Sequence, residues 1–346
     1  MKLKEIKITP LIETLKLTKI SDDVYFSKYH DYISNSRLGL INPEQGGSPE
    51  SFFNGFKSTY SPAFELGSMV HMLSLQKELY EVVDFIDRPS AKMGALADRL
   101  YNIWNGHIPT AEDICKEAEA IDYYGGKLSQ KKIDDVIEKC SQYWLERKQY
   151  ERKYKGDKTL LFYDPKTRET GLNCVNALEN NKKIQDLLHP KGLITDPISE
   201  MEQAILLDVE VEIPGYDKFI LKLKAKLDNY TIDTEYNTIT VNDVKTIGRI
   251  VSEMTNNITR FHYNREFAVY SYLLRLCAEK FYNMKNPTVK GNYLVVSTIP
   301  GHYTKVIPLT KQMFIEGMTE FRKLLRLVCY HTAKDYQNFG IWNLNN

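Results

Sequence analysis

Between Leu221 and Gly248 the sequence alternates in a way that leaves little choice of backbone. Leu221, Leu223, Ala225 and Leu227 occupy every second position, with Lys222, Lys224, Lys226 and Asp228 between them. A strand turns successive side chains to opposite faces, so this run has one apolar and one charged face. A short polar turn follows, and then a second alternating run, Thr-Ile-Thr-Val-Asn-Asp-Val-Lys-Thr-Ile, ahead of Gly248. Two such segments around turn residues predict a β-hairpin. In its second strand Asp243 and Lys245 stand two apart and share a face. An acid ending one strand and an Asp-x-Lys on its partner can bring two carboxylates and an ammonium together. That set suits a divalent cation beside an activated water.

The rest of the chain has to support that site. Its 346 residues suffice for one large domain or two ordinary ones, and 42% hydrophobic residues leave ample material for a core. Lys plus Arg (46) nearly cancels Asp plus Glu (45), so no bulk charge announces a polyanionic partner. A nucleic-acid site has to be a local basic patch around local acids. The five cysteines, Cys115, Cys140, Cys174, Cys277 and Cys329, are spread without a Cys-x-x-Cys pair, which supports neither a disulfide framework nor a zinc or iron–sulfur site. The opening Met-Lys-Leu-Lys-Glu-Ile-Lys has no apolar signal core, and no stretch approaches a membrane span, so a cytosolic protein is expected.

Taken in order, residues 1–30 are mixed, with room for a short strand. Ser34 or Ser36 can cap a short helix, and Ser48-Pro49 opens another that carries Phe52 and Phe53. Ser61-Pro62 begins a helix over Phe64–Gln76 whose apolar stripe is Leu66, Met69, Val70 and Leu73. His71 falls off that stripe, beside Gly67 one turn earlier, and by spacing alone reads as a half-exposed helical histidine. From about 90 to 190 the pattern is helical and charged, over Ala91–Trp104, Ala111–Tyr123, Lys127–Tyr154 and Arg168–Leu188. The absence of repeats and low-complexity linkers predicts an insertion into a single domain spanning 1–346. Strand character returns at Glu202–Ile213, followed by the hairpin, a long helix over Ile258–Asn283, strands at Gly291–Thr298 and Lys305–Leu309, and a final helix capped by Thr310 and running to about Ala333. The order β-β-β-α-β-β-α predicts an α/β (α+β) fold: a mixed central β-sheet flanked by helices, with the core in 200–340 and N-terminal helices in 30–85.

Gly67-Ser-Met-Val-His71, Lys226-Leu-Asp228 and Asp243-Val-Lys245-Thr246, in that order, resemble the motif series of the PD-(D/E)xK nuclease superfamily. The resemblance is nearest to the RecB-type nuclease domain and to phage exonucleases of the RecE type (exonuclease VIII), whose opening motif Tyr32-Ile-Ser-Asn-Ser-Arg-Leu also fits. It covers residues 30–85 and 200–300; the block 90–190 matches nothing in the family. It implies a restriction-endonuclease-like core and a divalent ion, Mg²⁺ or Mn²⁺, held by Asp228, Asp243, His71 and the carbonyl of Val244. It makes Lys245 the group that orients the attacking water and neutralises charge growing on the phosphate. The family carries a Gln and then a Tyr four residues on in the next helix; here Glu266 stands at the Gln position and Tyr270 at the Tyr. A carboxylate there either binds metal or water, with Arg260 or Arg265 compensating, or is a plain helix-surface acid. Glu202 is either an acid aimed at the metals or an exposed strand residue. The three hairpin lysines either contact a DNA backbone or form a solvated face.

The resemblance therefore implies a metal-dependent exonuclease acting on the ends of linear double-stranded DNA, 5′ to 3′ as that branch does, in phage-type recombination within a host cytoplasm. A homo-oligomer and a single-strand annealing recombinase are the partners implied. A single-strand or flap nuclease of the same superfamily, and a non-catalytic DNA-binding module that keeps the fold, are the competing expectations.

Overall fold

Both strands of the expected hairpin form, and the structure adds partners on either side of them. The computed structural model describes residues 5–55, 60–192 and 196–339, without the side chains of 335–339. The strands, in chain order, are β1 (Lys7–Pro10), β2 (Lys16–Lys19), β3 (Tyr80–Val82), β4 (Thr159–Leu161), β5 (Ile198–Glu212), β6 (Phe219–Asp233), β7 (Thr238–Ile247), β8 (Thr288–Ser297) and β9 (Thr304–Pro308). The early helices are α1 (Asp22–Ser27), α2 (Asn35–Gly39), α3 (Pro49–Asn54) and α4 (Pro62–Leu75). Next come α5 (Ala91–Trp104), α6 (Ala111–Ala120), α7 (Gln130–Lys153), α8 (Pro165–Glu179) and α9 (Lys182–Leu188). The last three are α10 (Met254–Arg260), α11 (Tyr263–Tyr282) and α12 (Lys311–Phe339).

These elements fall into two compact units. One takes the described residues before Phe56, then Asn181–Val295 and those from Tyr303 onward; the other takes those from Tyr60 to Asn180 together with Val296–His302. The first is a central sheet in the order β1-β5-β6-β7-β8-β9, with β2 also paired to β5. β5 and β6 are antiparallel along almost their whole length, from Ile198↔Ile232 to Val211↔Phe219. β1 and β2 pair antiparallel with successive parts of β5, so the region read as one short strand holds two. α11 packs against β6 and β7 and also against α12, and Phe267, Leu273, Leu274, Val328 and Tyr293 close the core. The α/β class with a sheet flanked by helices is thus present, and the sheet is mostly antiparallel.

The second unit holds the helical block as far as Asn180, and more, while α9 belongs to the sheet unit. Its core surrounds Trp144, whose indole N–H donates to the Ala97 carbonyl at 2.8 Å. The block is not wholly helical: β3 and β4 form a small parallel pair, too short at three residues each to show a period. The segment Arg168–Leu188 is two helices, because Asn181 caps a new one by accepting from the Ile184 N–H. The expected boundary near residue 90 also moves, since α4 is built into this unit. Met69 fills the space where Gly171 of α8 has no side chain, and Glu65 pairs with the buried Arg88 at 2.7 Å. Arg88 in turn reaches Asp98 at 2.7 Å, and Asp98 accepts from Tyr143. Among the described residues, no helix is long and apolar enough to cross a membrane.

Candidate active site

The candidate site lies where β6 changes partners. From Asp233 back to Asn229, β6 pairs antiparallel with β7, ending at Asn229↔Asn242. The next step in that register would set Asp228 opposite Asp243, and there the ladder stops. Instead of a main-chain bond, Asp228 Oδ2 accepts the Val244 N–H at 2.7 Å. Farther along β6 a different segment takes over: the Ile33 N–H donates to the Lys222 carbonyl at 2.8 Å, and the Lys224 N–H donates to the Ile33 carbonyl at 3.0 Å. Ile33 is fixed there because the next residue, Ser34, caps α2 by accepting from the Arg37 N–H. Two strands that part, with a side chain serving the freed amide, leave a polar opening in the floor of the sheet.

Four carboxylates gather at that opening. Glu202 lies opposite Asp228 on β5, and the two offer oxygens within 4.8 Å of one another. Glu202 is buried and has a left-handed φ of 55° in the middle of a strand, a conformation that a non-glycine residue rarely keeps without a constraint. Lys245 Nζ stands 2.9 Å from Asp243 Oδ2 and 3.0 Å from Glu266 Oε2. Glu266 Oε1 accepts the Tyr270 hydroxyl at 3.1 Å, as four-residue spacing on a helix allows. Asp228, Asp243, Lys245, Glu266, Tyr270 and Glu202 are therefore one cluster within the sheet unit. His71 is half-buried on α4, in the helical unit.

Positive charge is short in this cluster. Burial, and then the neighbouring acids against the pull of Lys245, push the Asp228 and Asp243 carboxyls up to about 8. Burial works against the Lys245 ammonium, but Asp243, Glu266 and Asp228 outweigh it and hold its pKa well above the ordinary lysine value. Burial and the same acids raise the Tyr270 hydroxyl far above its usual range, so it stays a donor. Asp243 Oδ2 and Glu266 Oε2 face Lys245 without a well-aligned hydrogen bond. Oxygen donors this close, with too little positive charge between them, are a set that Mg²⁺ or Mn²⁺ fits.

Three readings of individual side chains change. Glu266 is not a surface acid: it is the second carboxylate on Lys245. Arg265 acts on it only through space, being buried and bonded to Glu320 at 2.9 Å and to Asn35 at 2.7 Å, while Arg260 is exposed beside Phe261. The hairpin lysines form neither a solvated face nor a free basic stripe. Lys222 pairs with Asp31 at 3.0 Å, and Lys226 with both Asp22 and Glu202 at 2.6 Å. Lys224 donates to the Tyr25 carbonyl and lies 4.2 Å from the centre of the Tyr25 ring; burial lowers its pKa to about 8.

Sequence reading missed a row of linked amides directly behind the acids, with Asn229 and Asn242 buried and Asn292 half-buried. Asn242 Nδ2 donates to Asn229 Oδ1 at 2.7 Å, and Asn292 Nδ2 donates to Asn242 Oδ1 at 2.9 Å. Asn229 also donates to Ser199 Oγ at 2.9 Å, so the row crosses β5, β6, β7 and β8. The signal was there: Asp228-Asn229 on one strand mirrors Asn242-Asp243 on the other. Buried polar rows with every member bonded fix a register, here the one that sets Asp228 against Asp243.

No protein-family model matches the chain, and no curated protein matches it. Among solved structures it is similar to a crystal structure of a candidate exonuclease from Eubacterium rectale, at 10% sequence identity and a TM-score of 0.42, with 91% of this chain and 88% of that chain covered.

Proposed function

We propose that the chain is a metal-dependent nuclease that hydrolyses DNA phosphodiester bonds at strand ends. One observation carries the reading: Asp228, Asp243 and Lys245 meet at the parting of β6 and β7, with the Glu202 carboxylate within 4.8 Å of that of Asp228. The motif order in the sequence supports the same assignment. Glu202, Asp228 and Asp243 would hold Mg²⁺ or Mn²⁺, with the Val244 carbonyl beside them. When bound, the ion supplies charge stabilisation for the phosphate and lowers the pKa of its water.

The chain's own groups do the rest. Lys245, held between Asp243 and Glu266, places a fixed cation where charge grows on the phosphate oxygens, and a preset cation costs no reorganisation during the reaction. Tyr270 donates to Glu266 and so keeps that carboxylate turned to Lys245. Glu266 therefore positions Lys245 and leaves the substrate contact to the lysine. Asp228 ties its own orientation to the β7 backbone through Val244, which keeps the acids of the two strands in step. By resemblance, the substrate is the end of linear DNA, degraded 5′ to 3′ in a recombination pathway.

End-labelled linear duplex, circular duplex and single strands, each incubated with Mg²⁺, Mn²⁺ or EDTA, test this. The parent should release nucleotides from linear DNA only with a metal. Lys245→Ala should lose about 10²-fold or more of that rate while keeping its fold by circular dichroism. A Lys245→Ala variant as active as the parent sinks the assignment. DNA bound in EDTA but uncut with either metal indicates a non-catalytic binding module instead.

A further inference from the structure

Outside the buried acids, a line of contacts runs from Lys245 to the protein surface. Lys245 Nζ lies 4.9 Å from the centre of the Tyr263 ring. Tyr263 meets Phe261 with ring centres 5.8 Å apart and planes tilted by 44°. Beyond them the Arg260 guanidinium is 5.4 Å from the Phe261 ring. Tyr263 is half-buried, but Phe261 is 47% exposed and Arg260 is exposed. A single exposed phenylalanine means little. This one is joined by ring contact to the fixed cation of the site and is flanked by a second cation.

The backbone on either side holds the pair in place. α10 ends at Arg260, α11 begins at Tyr263, and His262 between them takes a left-handed φ of 56°. His262 Nδ1 is 2.8 Å from Glu320 Oε1 on α12, which fixes the turn to the core of the sheet unit. The Phe261 ring thus has a set position without being buried. Its centre is at most about 11 Å from Lys245 Nζ, given the two intervening contacts. At about 3.4 Å per nucleotide in a stacked strand, that is a reach of about three nucleotides.

We infer that Phe261 is a stacking platform for an unpaired base next to the phosphodiester at the carboxylate cluster, with Arg260 beside a flanking phosphate. Every base has a flat face, so an aromatic ring holds single strands with little regard to sequence, and a nearby cation holds the backbone. In a duplex the base faces are occupied by their neighbours. The substrate class is accordingly DNA with unpaired nucleotides, a single strand or a frayed end. This rests on the phosphodiesterase reading above.

The test uses the full chain in EDTA with short single strands carrying 2-aminopurine, moved one position at a time from each end. Wild-type protein should quench the probe at one preferred position. Phe261→Ala should abolish that quench and weaken binding on the order of tenfold, while Phe261→Trp should retain both. An abasic site at the preferred position should remove the difference between wild type and Phe261→Ala. With Mg²⁺ the loss should fall on KM, with kcat at saturation little changed. Equal binding and equal quenching in Phe261→Ala, alongside wild-type cleavage, overturn the inference alone. A wild-type protein that cleaves no strand with Mg²⁺ or Mn²⁺ overturns the nuclease reading and this inference with it.

Discussion

Replacing Asp228 by Asn should make the metal-free protein more stable at neutral pH, and the gain should depend on pH in a defined way. Asp228 and Asp243 are both pushed up to about 8 by burial and by neighbouring acids. An unfolded chain releases those protons near pH 4. Below that value both states are protonated and nothing is lost. As pH rises toward 8 the native pair keeps a proton that the unfolded chain has given up, so stability falls, and above 8 the penalty is constant. Asp228 retains some exposed surface and the two carboxyls interact, so one proton shared by the pair is the reasonable count. One proton held by the native state alone makes stability fall by roughly 3 kcal/mol between pH 5 and pH 7. Asn keeps the acceptor for the Val244 N–H and removes one of the two interacting charges, so the variant should show a shallower slope. Tryptophan fluorescence is a poor probe of this site, because Trp104 and Trp144 belong to the helical unit and the third tryptophan, Trp342, lies outside the described residues. Hydrogen exchange of β6 and β7 peptides in EDTA, corrected for intrinsic rates, reads the site instead. If wild type and Asp228→Asn keep a constant difference across pH 5–7, the carboxyls hold no extra proton and the account of the cluster fails. Adding Mg²⁺ at pH 7 should remove much of the wild-type penalty by binding the native state alone, and should do little for the variant.

Other perturbations separate the supports of the site from those of the fold. Asn242→Ala strands the amides of Asn229 and Asn292, and should cost about 2–3 kcal/mol by exchange of β6 and β7. Protection equal to wild type would show the row to be dispensable. Tyr270→Phe leaves the core packing but frees Glu266, so turnover should fall several-fold with little change in KM; a change confined to KM would place Tyr270 on the substrate instead. Arg88→Met leaves the mostly buried Glu65 without its cation, while Asp98 keeps Arg147, and should cost about 1–3 kcal/mol. Fluorescence of Trp144 should report that loss, and an unshifted unfolding curve would refute it.

What the sequence disclosed follows the range of the interactions involved. The hairpin and its charged face could be read because strand alternation is local, and α5 because its apolar spacing is. The parting of β6 and β7 could not, since it depends on a side chain capping a main-chain amide and on Ile33 entering from far up the chain. The lysines were misread for the same reason. Their partners Asp22, Asp31 and Glu202 are placed by α1, by the segment before α2 and by β5, and periodicity in β6 says nothing of them. Glu266 looked like a poor replacement for an amide because only its helix was in view. The lysine that accounts for it sits on a neighbouring strand. The early boundary of the helical unit was hidden in one glycine, Gly171, whose missing side chain admits Met69.

The attachment of β1 and β2 to β5 has a consequence in time as well as in space. Lys7 pairs with Glu212, and Ile33 with the strand that holds Leu223, so the first strands of the sheet are made long before their partners. At about 5–20 residues per second, β1 waits on the order of ten seconds or more during synthesis for β5 to appear. The helical unit, but for Val296–His302, lies between Tyr60 and Asn180, all made before β5, and can organise meanwhile. Assembly of the carboxylate cluster is therefore a late event, gated by the closure of a loop of almost two hundred residues. The early strands carry Lys7, Lys16 and Lys19 together with Pro10, charges and a proline that discourage strand edges from pairing wrongly while they wait.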